Sequence, residues 1–226
     1  MIDFAPQRLT MVETQLRPNA VTDTLLLAAM RALPRERFVP ERLAALAYMD
    51  EGIEVFPATD GAPARYLLAP MVLARLVQLA AVEPQDAVLD VGCATGYSTA
   101  VIARLGRQVI GLEPEPELAA AARGNLRQLG LANADIVESA LARGCLERGP
   151  YEVILLNGSV PDPPQALIAQ LKEGGRLAAI LARGGGGTQG TAYLFVKIGG
   201  EASGVSHFDA GARRLPGFSP EPCFSF

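Results

Sequence analysis

The segment with the most chemical content is Val88-Leu89-Asp90-Val91-Gly92-Cys93-Ala94-Thr95-Gly96-Tyr97. An apolar run enters a loop of small residues, and Val101, Ile102 and Leu105 mark a helix leaving it. Such a loop lets a ligand approach the backbone and sets it at a helix N-terminus. Spacing separates the ligand classes. A dinucleotide fingerprint places its third glycine three residues after the second. Here Gly92, Ala94 and Gly96 advance by two and two, and Tyr97 stands where that third glycine belongs. Its ring opposes the close helix–strand packing a dinucleotide motif needs. The next apolar run ends Gly111-Leu112-Glu113-Pro114, with Glu113 21 residues after Gly92. An acidic residue at that distance accepts hydrogen bonds from both hydroxyls of a ribose. Alone, Glu113 reads as a solvated strand-end charge; with Gly92 and Gly96 it reads as a nucleoside contact.

Neighbouring residues have two readings each. Asp90 either scaffolds the loop through its N–H groups or lies near the cationic end of a ligand. Asn157 follows the apolar run Val153-Ile154-Leu155-Leu156. It sits either at the reacting end of a ligand bound at the strand tips or in a turn-forming pair with Gly158. Cys93 reads as a small loop residue, because no histidine or second cysteine is near it to activate the thiol. The chain has one histidine, His207, and three widely spaced cysteines, Cys93, Cys145 and Cys223. A histidine triad, a disulfide framework and a metal-ligand set are therefore not expected.

These groups need a frame. The 226 residues are 50% hydrophobic and 19% charged, enough for a packed core. Leu26, Ala29, Met30 and Leu33 form one helix face, capped by Thr22 or Asp23 and stopped by Pro34. Residues 55–65, with Pro57, Gly61 and Pro63, read as a loop. Pro70 opens a second helix, with Val72, Leu73, Leu76, Val77 and Ala80 facing inward. After residue 85, apolar runs alternate with helical stripes, the signature of a parallel sheet covered on both faces. The runs 192–198 and 205–208 suggest antiparallel pairing at one edge. The expected organisation is a helical cover over 1–80, an α/β core over 81–212 and an extended tail over 213–226. Gly184 to Gly187 read as a flexible connection or as a mobile lid.

Net charge is −4 and the isoelectric point is near 5.2, which argues against a nucleic-acid partner held by broad charge neutralisation. No run reaches the roughly 18 apolar residues of a membrane span. The first eight residues lack a basic region followed by an apolar one, so no signal peptide is expected and a cytoplasmic protein is the default. A monomer or small homo-oligomer is expected.

The two-and-two glycine spacing is the one S-adenosylmethionine (SAM) methyltransferases use. Residues 89–100 resemble motif I of the protein-L-isoaspartate O-methyltransferases, and so does Pro150-Tyr151-Glu152-Val153-Ile154. Val160-Pro161 and the run from Leu167 to Leu177 resemble the family's entry into its fifth strand. Upstream, Met11-Val12-Glu13, Gln15-Leu16-Arg17, residues 34–40 and residues 47–50 are similar to its N-terminal region. The resemblance spans about 9–198. It implies a Rossmann-like SAM-methyltransferase fold, with a mostly parallel seven-stranded sheet, helices on both faces and an N-terminal helical extension. It also implies SAM as cofactor, S-adenosyl-L-homocysteine as product, and a protein or peptide isoaspartyl carboxylate as acceptor. The cofactor-binding set on this reading is Asp90, Gly92, Ala94, Gly96, Glu113, Pro114, Ser139 and Asn157.

Two departures modify the expectation. The family carries Ser two residues before a Pro in its acceptor loop, with His following; aligned on Pro70, this chain has Leu68, Met71 and Leu73. Its third strand runs into Glu138-Ser139-Ala140 instead of a Gly-Asp-Gly-type turn. The acceptor pocket is thus expected to be less polar and isoaspartyl methylation weak, with Arg65 and Tyr66 as the compensating candidates beside Leu68. The rival readings are a cofactor-binding module without catalysis and a methyltransferase for a small acceptor; an NAD-dependent oxidoreductase is disfavoured by the loop spacing.

Overall fold

The computed structural model describes residues 3–59, 63–182 and 188–218. The chain opens with α1 (Ala5–Met11) and α2 (Thr24–Ala32). The Asp23 side chain caps α2 by accepting from the N–H groups of Leu25 and Leu26, and the extended Leu33 before Pro34 ends it. A two-stranded antiparallel ribbon follows, β1 (Ile53–Phe56) and β2 (Arg65–Leu67). The expected loop over 55–65 is corrected here, since its ends pair as strands. These pieces are too short for a period-2 pattern to show through Pro57 and Pro63. Then comes α3 (Pro70–Ala80), with Pro70 in its first turn and the expected apolar face buried.

The central sheet holds β3 (Ala87–Val91), β4 (Gln108–Leu112), β5 (Ala134–Val137), β6 (Tyr151–Val160), β7 (Leu171–Leu181), β8 (Gln189–Ile198) and β9 (Glu201–Gly211). Their order is β5-β4-β3-β6-β7-β8-β9, parallel from β5 to β7 and antiparallel at the β8 and β9 edge. This is the mostly parallel seven-stranded sheet expected from the alternation. The helices between its strands are α4 (Tyr97–Ile102), α5 (Pro116–Gln128) and the single turn α6 (Gln165–Ile168).

Alternate residues of the strands feed two cores. Val88, Leu155, Ala178 and Ile180 pack with the N-terminal helices, α3, α4 and α5. Leu89, Val91, Ile154, Leu156 and Leu177 face the other way, toward Leu141, α6 and Leu215. The N-terminal portion thus shares one core with the sheet.

Four strands run longer than their apolar stretches suggest: β7 begins at Leu171 and β8 at Gln189, ahead of the runs expected from 175 and 192, and β6 and β9 are extended too. β6 continues four residues past Leu156, with an irregularity between Leu155, opposite Ala178, and Ser159, opposite Ile180. Asn157 and Gly158 therefore lie in a bulge within the strand, a feature that re-aims side chains, and not in the sharp exit turn expected for an Asn-Gly pair. β9 is 11 residues long and mostly exposed, against an expected strand over 205–208. The Gly184 to Gly187 connection lies outside the described residues.

Candidate active site

The site gathers at the carboxyl ends of β3, β4 and β6, where the loop after β3 turns into α4. The turn requires left-handed backbone at Gly92 (φ 78°), Ala94 (φ 50°) and Gly96 (φ 91°). Two of the three small residues are glycines, which adopt this region without a Cβ clash. Gly96 has a second reason to be glycine: a Cβ there would lie 3.0 Å from Cβ of Ala122, so the loop packs flush against α5.

Asp90 is fully buried and bonded inside the protein. Its Oδ2 accepts from Ser98 Oγ (2.7 Å) and Thr99 Oγ1 (2.6 Å), and its Oδ1 from Asn157 Nδ2 (2.6 Å). Burial pushes its carboxyl above the usual carboxylate range, and those three bonds pull it part of the way back. Asp90 therefore ties β3, α4 and the β6 bulge together. Asn157, 8% exposed, also donates to Val91 O (3.3 Å) and faces an open cavity.

Glu113 lies at the end of β4 and is fully buried. Its Oε2 accepts from the Ala94 N–H (2.8 Å). Its Oε1 takes Arg65 Nη1 at 2.7 Å and, more weakly, the Glu115 N–H at 3.3 Å. Desolvation raises its pKa; Arg65 and the amide bonds oppose this without reversing it. Among the described residues Arg65 Nη2 has no hydrogen-bond partner, although it is buried. A Cβ on Gly92 would lie 3.2 Å from that Nη2 and 2.7 Å from Leu215 Cδ2. The ground in front of Gly92 thus holds Arg65 and Leu215.

Pro114 is exposed just past the end of β4 and Ser139 half-buried just past the end of β5; Glu138 is turned outward to Arg123 (2.5 Å). Cys93 is buried, and desolvation first, then the charges of Asp90 and Glu113, push its thiol well above its ordinary value. It is not an activated nucleophile.

On the far side of Arg65 opens a cavity of about 380 Å³ between the β1–β2 ribbon, the start of α3 and residues 211–215. Arg65, Tyr66 and Leu68, the three acceptor-loop candidates, all line it, with Asn157 at one wall. Tyr66 donates to Glu54 Oε2 (2.8 Å), a bond that, with burial, raises the phenol's pKa. Leu68 is 7% exposed and offers only carbon to the cavity; its carbonyl accepts from Arg35 Nη2 (2.7 Å).

Two groups were beyond sequence reasoning. Arg35 is fully buried, donates to the carbonyls of Ala47 (2.7 Å) and Leu68, and lies 4.7 Å above the Tyr97 ring. It pins the acceptor segment onto the residue that follows the glycine loop. Arg213, from the tail, stacks 5.1 Å over the Tyr66 ring at the cavity mouth. In the sequence, residues 34–40 show only a similarity to the family's N-terminal region, with no site role for Arg35, and nothing in the tail's composition signals a site. Among the described residues no cluster of three or more His, Cys, Asp or Glu is placed to hold a metal ion. No described helix is long and apolar enough to cross a membrane.

The protein-L-isoaspartate(D-aspartate) O-methyltransferase (PCMT) family matches residues 7–201. The protein-L-isoaspartate O-methyltransferase of Koribacter versatilis is 39% identical over 174 residues, 77% of this chain and 76% of that one. The protein of the same name from Methylorubrum extorquens is 39% identical over 186 residues, 82% of this chain and 78% of its own. A solved protein-L-isoaspartate O-methyltransferase superposes with a TM-score of 0.78 at 25% identity, over 93% of this chain and 66% of that one. A Plasmodium falciparum chain, solved in complex with S-adenosyl-L-homocysteine, shares the fold with a TM-score of 0.74 at 20% identity, over 92% of this chain and 97% of that one.

Proposed function

Because the chain belongs to the protein-L-isoaspartate(D-aspartate) O-methyltransferase family, we propose that it transfers a methyl group from SAM to the carboxylate of an isoaspartyl residue in a protein or peptide. The observation that carries this reading is the buried Glu113 carboxylate facing the glycine loop, with Gly92 in left-handed backbone beside it. The donor set fits a nucleoside ligand: an acid for the ribose hydroxyls, a loop whose own Gly92, Ala94 and Gly96 carry little or no side chain, and a buried guanidinium nitrogen without a partner among the described residues at its edge.

SAM, when bound, supplies an electrophilic methyl group on a sulfonium. The chain's own work is binding, orientation and exclusion of water. Glu113 and Gly92 hold the nucleoside end, with Pro114 and Ser139 on its flank. Asp90, Ala94 and Gly96 shape the loop from behind. Asn157, held by Asp90 in the β6 bulge, stands between the cleft and the cavity and orients groups at that junction. An isoaspartyl carboxylate is already ionised at neutral pH, so attack needs no general base. That suits a site whose Cys93 and Tyr66 both hold their protons more tightly than usual. Rate then comes from positioning and from a dry site. Leu68 contributes no hydrogen bond to the acceptor, so isoaspartyl peptides are slow substrates on this reading. A cytoplasmic protein is part of the same reading, supported by the free thiols of Cys93 and Cys145.

The test is incubation with methyl-labelled SAM plus an isoaspartyl peptide, beside a lysate of small molecules and proteins. Slow labelling of the peptide, base-labile as a methyl ester is, supports the proposal. Label confined to small molecules of the lysate sinks the isoaspartyl acceptor. Absence of any label alongside measurable cofactor binding sinks catalysis and leaves a binding module.

A further inference from the structure

Residues 212–218 lie beyond the family-matched span of 7–201, yet they run into the cleft assigned above to the methyl donor. The C-terminal segment is pinned along β6: Ser159 N donates to Arg213 O, and Leu215 N donates to Ser159 O, both at 2.9 Å. This throws the Leu215 side chain between two glycines. A Cβ on Gly158 would lie 2.8 Å from its Cγ and Cδ2, and one on Gly92 would lie 2.7 Å from its Cδ2. Leu215 is 4% exposed there, packed in the same core as Val91 and Leu141.

Arg65 completes the closure from the opposite side. Its Nη1 takes Glu113 Oε1, the oxygen that the loop amide of Ala94 leaves over. A ribose hydroxyl needs the same oxygen. The two parts are linked, since Arg213 of the tail stacks on Tyr66, the residue after Arg65. The closure is also imperfect, because Arg65 Nη2 is buried without a partner among the described residues. A buried donor left unsatisfied favours a state in which it reaches water or an acceptor.

We propose that Arg65 and Leu215 form an internal stopper of the donor cleft, and that the donor binds only as the C-terminal segment lifts off β6 and Arg65 gives up Glu113. This rests on the donor reading of the previous subsection. The stopper acts as a competing intramolecular ligand, so the observed affinity is the intrinsic one scaled by the fraction of open molecules. Cofactor level then sets whether the tail is docked or released. The docked tail also shapes the acceptor cavity, through Arg213 and Leu215, so release of the tail remodels both halves of the site.

The experiment uses the full chain and S-adenosyl-L-homocysteine as probe. Calorimetry compares wild type with Leu215→Ala, in which the stopper loses its apolar anchor. The expected result is binding tighter by about tenfold in the variant, equivalent to about 1.4 kcal/mol. Hydrogen exchange on the wild type supplies a second readout. The Leu215 amide, bonded to Ser159 O, should be protected without the probe and lose protection at saturation. Unchanged or weaker binding by a folded Leu215→Ala, or a Leu215 amide still protected in the saturated wild type, overturns the stopper. Absence of binding in both proteins overturns the donor reading itself, and the stopper with it.

Discussion

The two halves of the proposed site are built on opposite terms. The donor side is closed, fully buried and held by short polar bonds: Glu113 to Arg65 and Ala94, Asp90 to Ser98, Thr99 and Asn157. The acceptor side is an open cavity of about 380 Å³ walled by a short ribbon and the C-terminal segment. Donor-side residues other than Arg65 sit at strand ends and in one tight loop, positioned by the parallel sheet. Acceptor-side residues sit on the three-residue strand β2, which lies outside the central sheet, and on the C-terminal segment. Changes on the donor side should therefore register first in stability, and changes on the acceptor side first in rate.

The largest expected effect follows from Glu113→Ala. Arg65 would be left buried with no carboxylate, and the Ala94 amide with no acceptor. Removing one member of a buried ion pair costs about 3–5 kcal/mol. Urea unfolding of the variant should show a loss of that size, and calorimetry a loss of S-adenosyl-L-homocysteine binding. A loss below about 1 kcal/mol would mean that the pair is solvated and the donor side is not the rigid half.

On the acceptor side the informative change is Leu68→Ser. The new hydroxyl can donate to an acceptor carboxylate. A hydrogen bond to a charged group is worth about 1.5–3 kcal/mol, roughly 10- to 150-fold in rate if made in the transition state. Leu68 is also buried, so the variant should lose stability as a truncated core side chain does. Turnover of an isoaspartyl peptide should rise while melting temperature falls. Wild-type turnover matching that of a Ser-bearing relative, with no gain in the variant, would show that the family's serine does not map onto position 68.

What the sequence could and could not announce divides along the same line. The placement of Gly92, Gly96 and Glu113 was legible because local rules fix it: glycines where φ must be positive, and an acid one strand away. The cores of β3, β4, β6 and β7 were legible because buried parallel strands carry apolar runs; the start of β7 at Leu171 was not, because Lys172, Glu173 and Gly174 interrupt the run. The Arg65–Glu113 bond was not, because it joins residues 48 apart on different elements and no spacing rule reports such a meeting. The docking of Leu215 between Gly92 and Gly158 was hidden for a similar reason, and the tail's prolines suggested only an extended chain. The β6 bulge was missed because Asn157-Gly158 carries the same two-letter signal as a tight turn. The β1–β2 ribbon escaped because three- and four-residue strands are too short to show alternation.

The finest test of the rigid donor side concerns Asp90. Its carboxyl is raised from the ordinary 3.8, with burial as the first cause, against the bonds from Thr99, Ser98 and Asn157. A carboxyl whose folded pKa lies above its unfolded one contributes stability below the unfolded value and loses it as pH rises through the folded value. Wild type should therefore lose this contribution as pH climbs from about 4 toward neutrality. Asp90→Asn keeps the shape of the protonated carboxyl and cannot ionise; the Asn157 amide can turn to pair with it. At pH 4 the two proteins should melt at nearly the same temperature. By pH 8 the variant should melt at the higher temperature, since only wild type has lost this contribution. Groups common to both proteins cancel in this difference, so its growth with pH reports Asp90 alone. A gap that stays constant from pH 4 to 8 would mean that the three donors fully offset the burial, and that Asp90 remains an ordinary carboxylate in the folded protein.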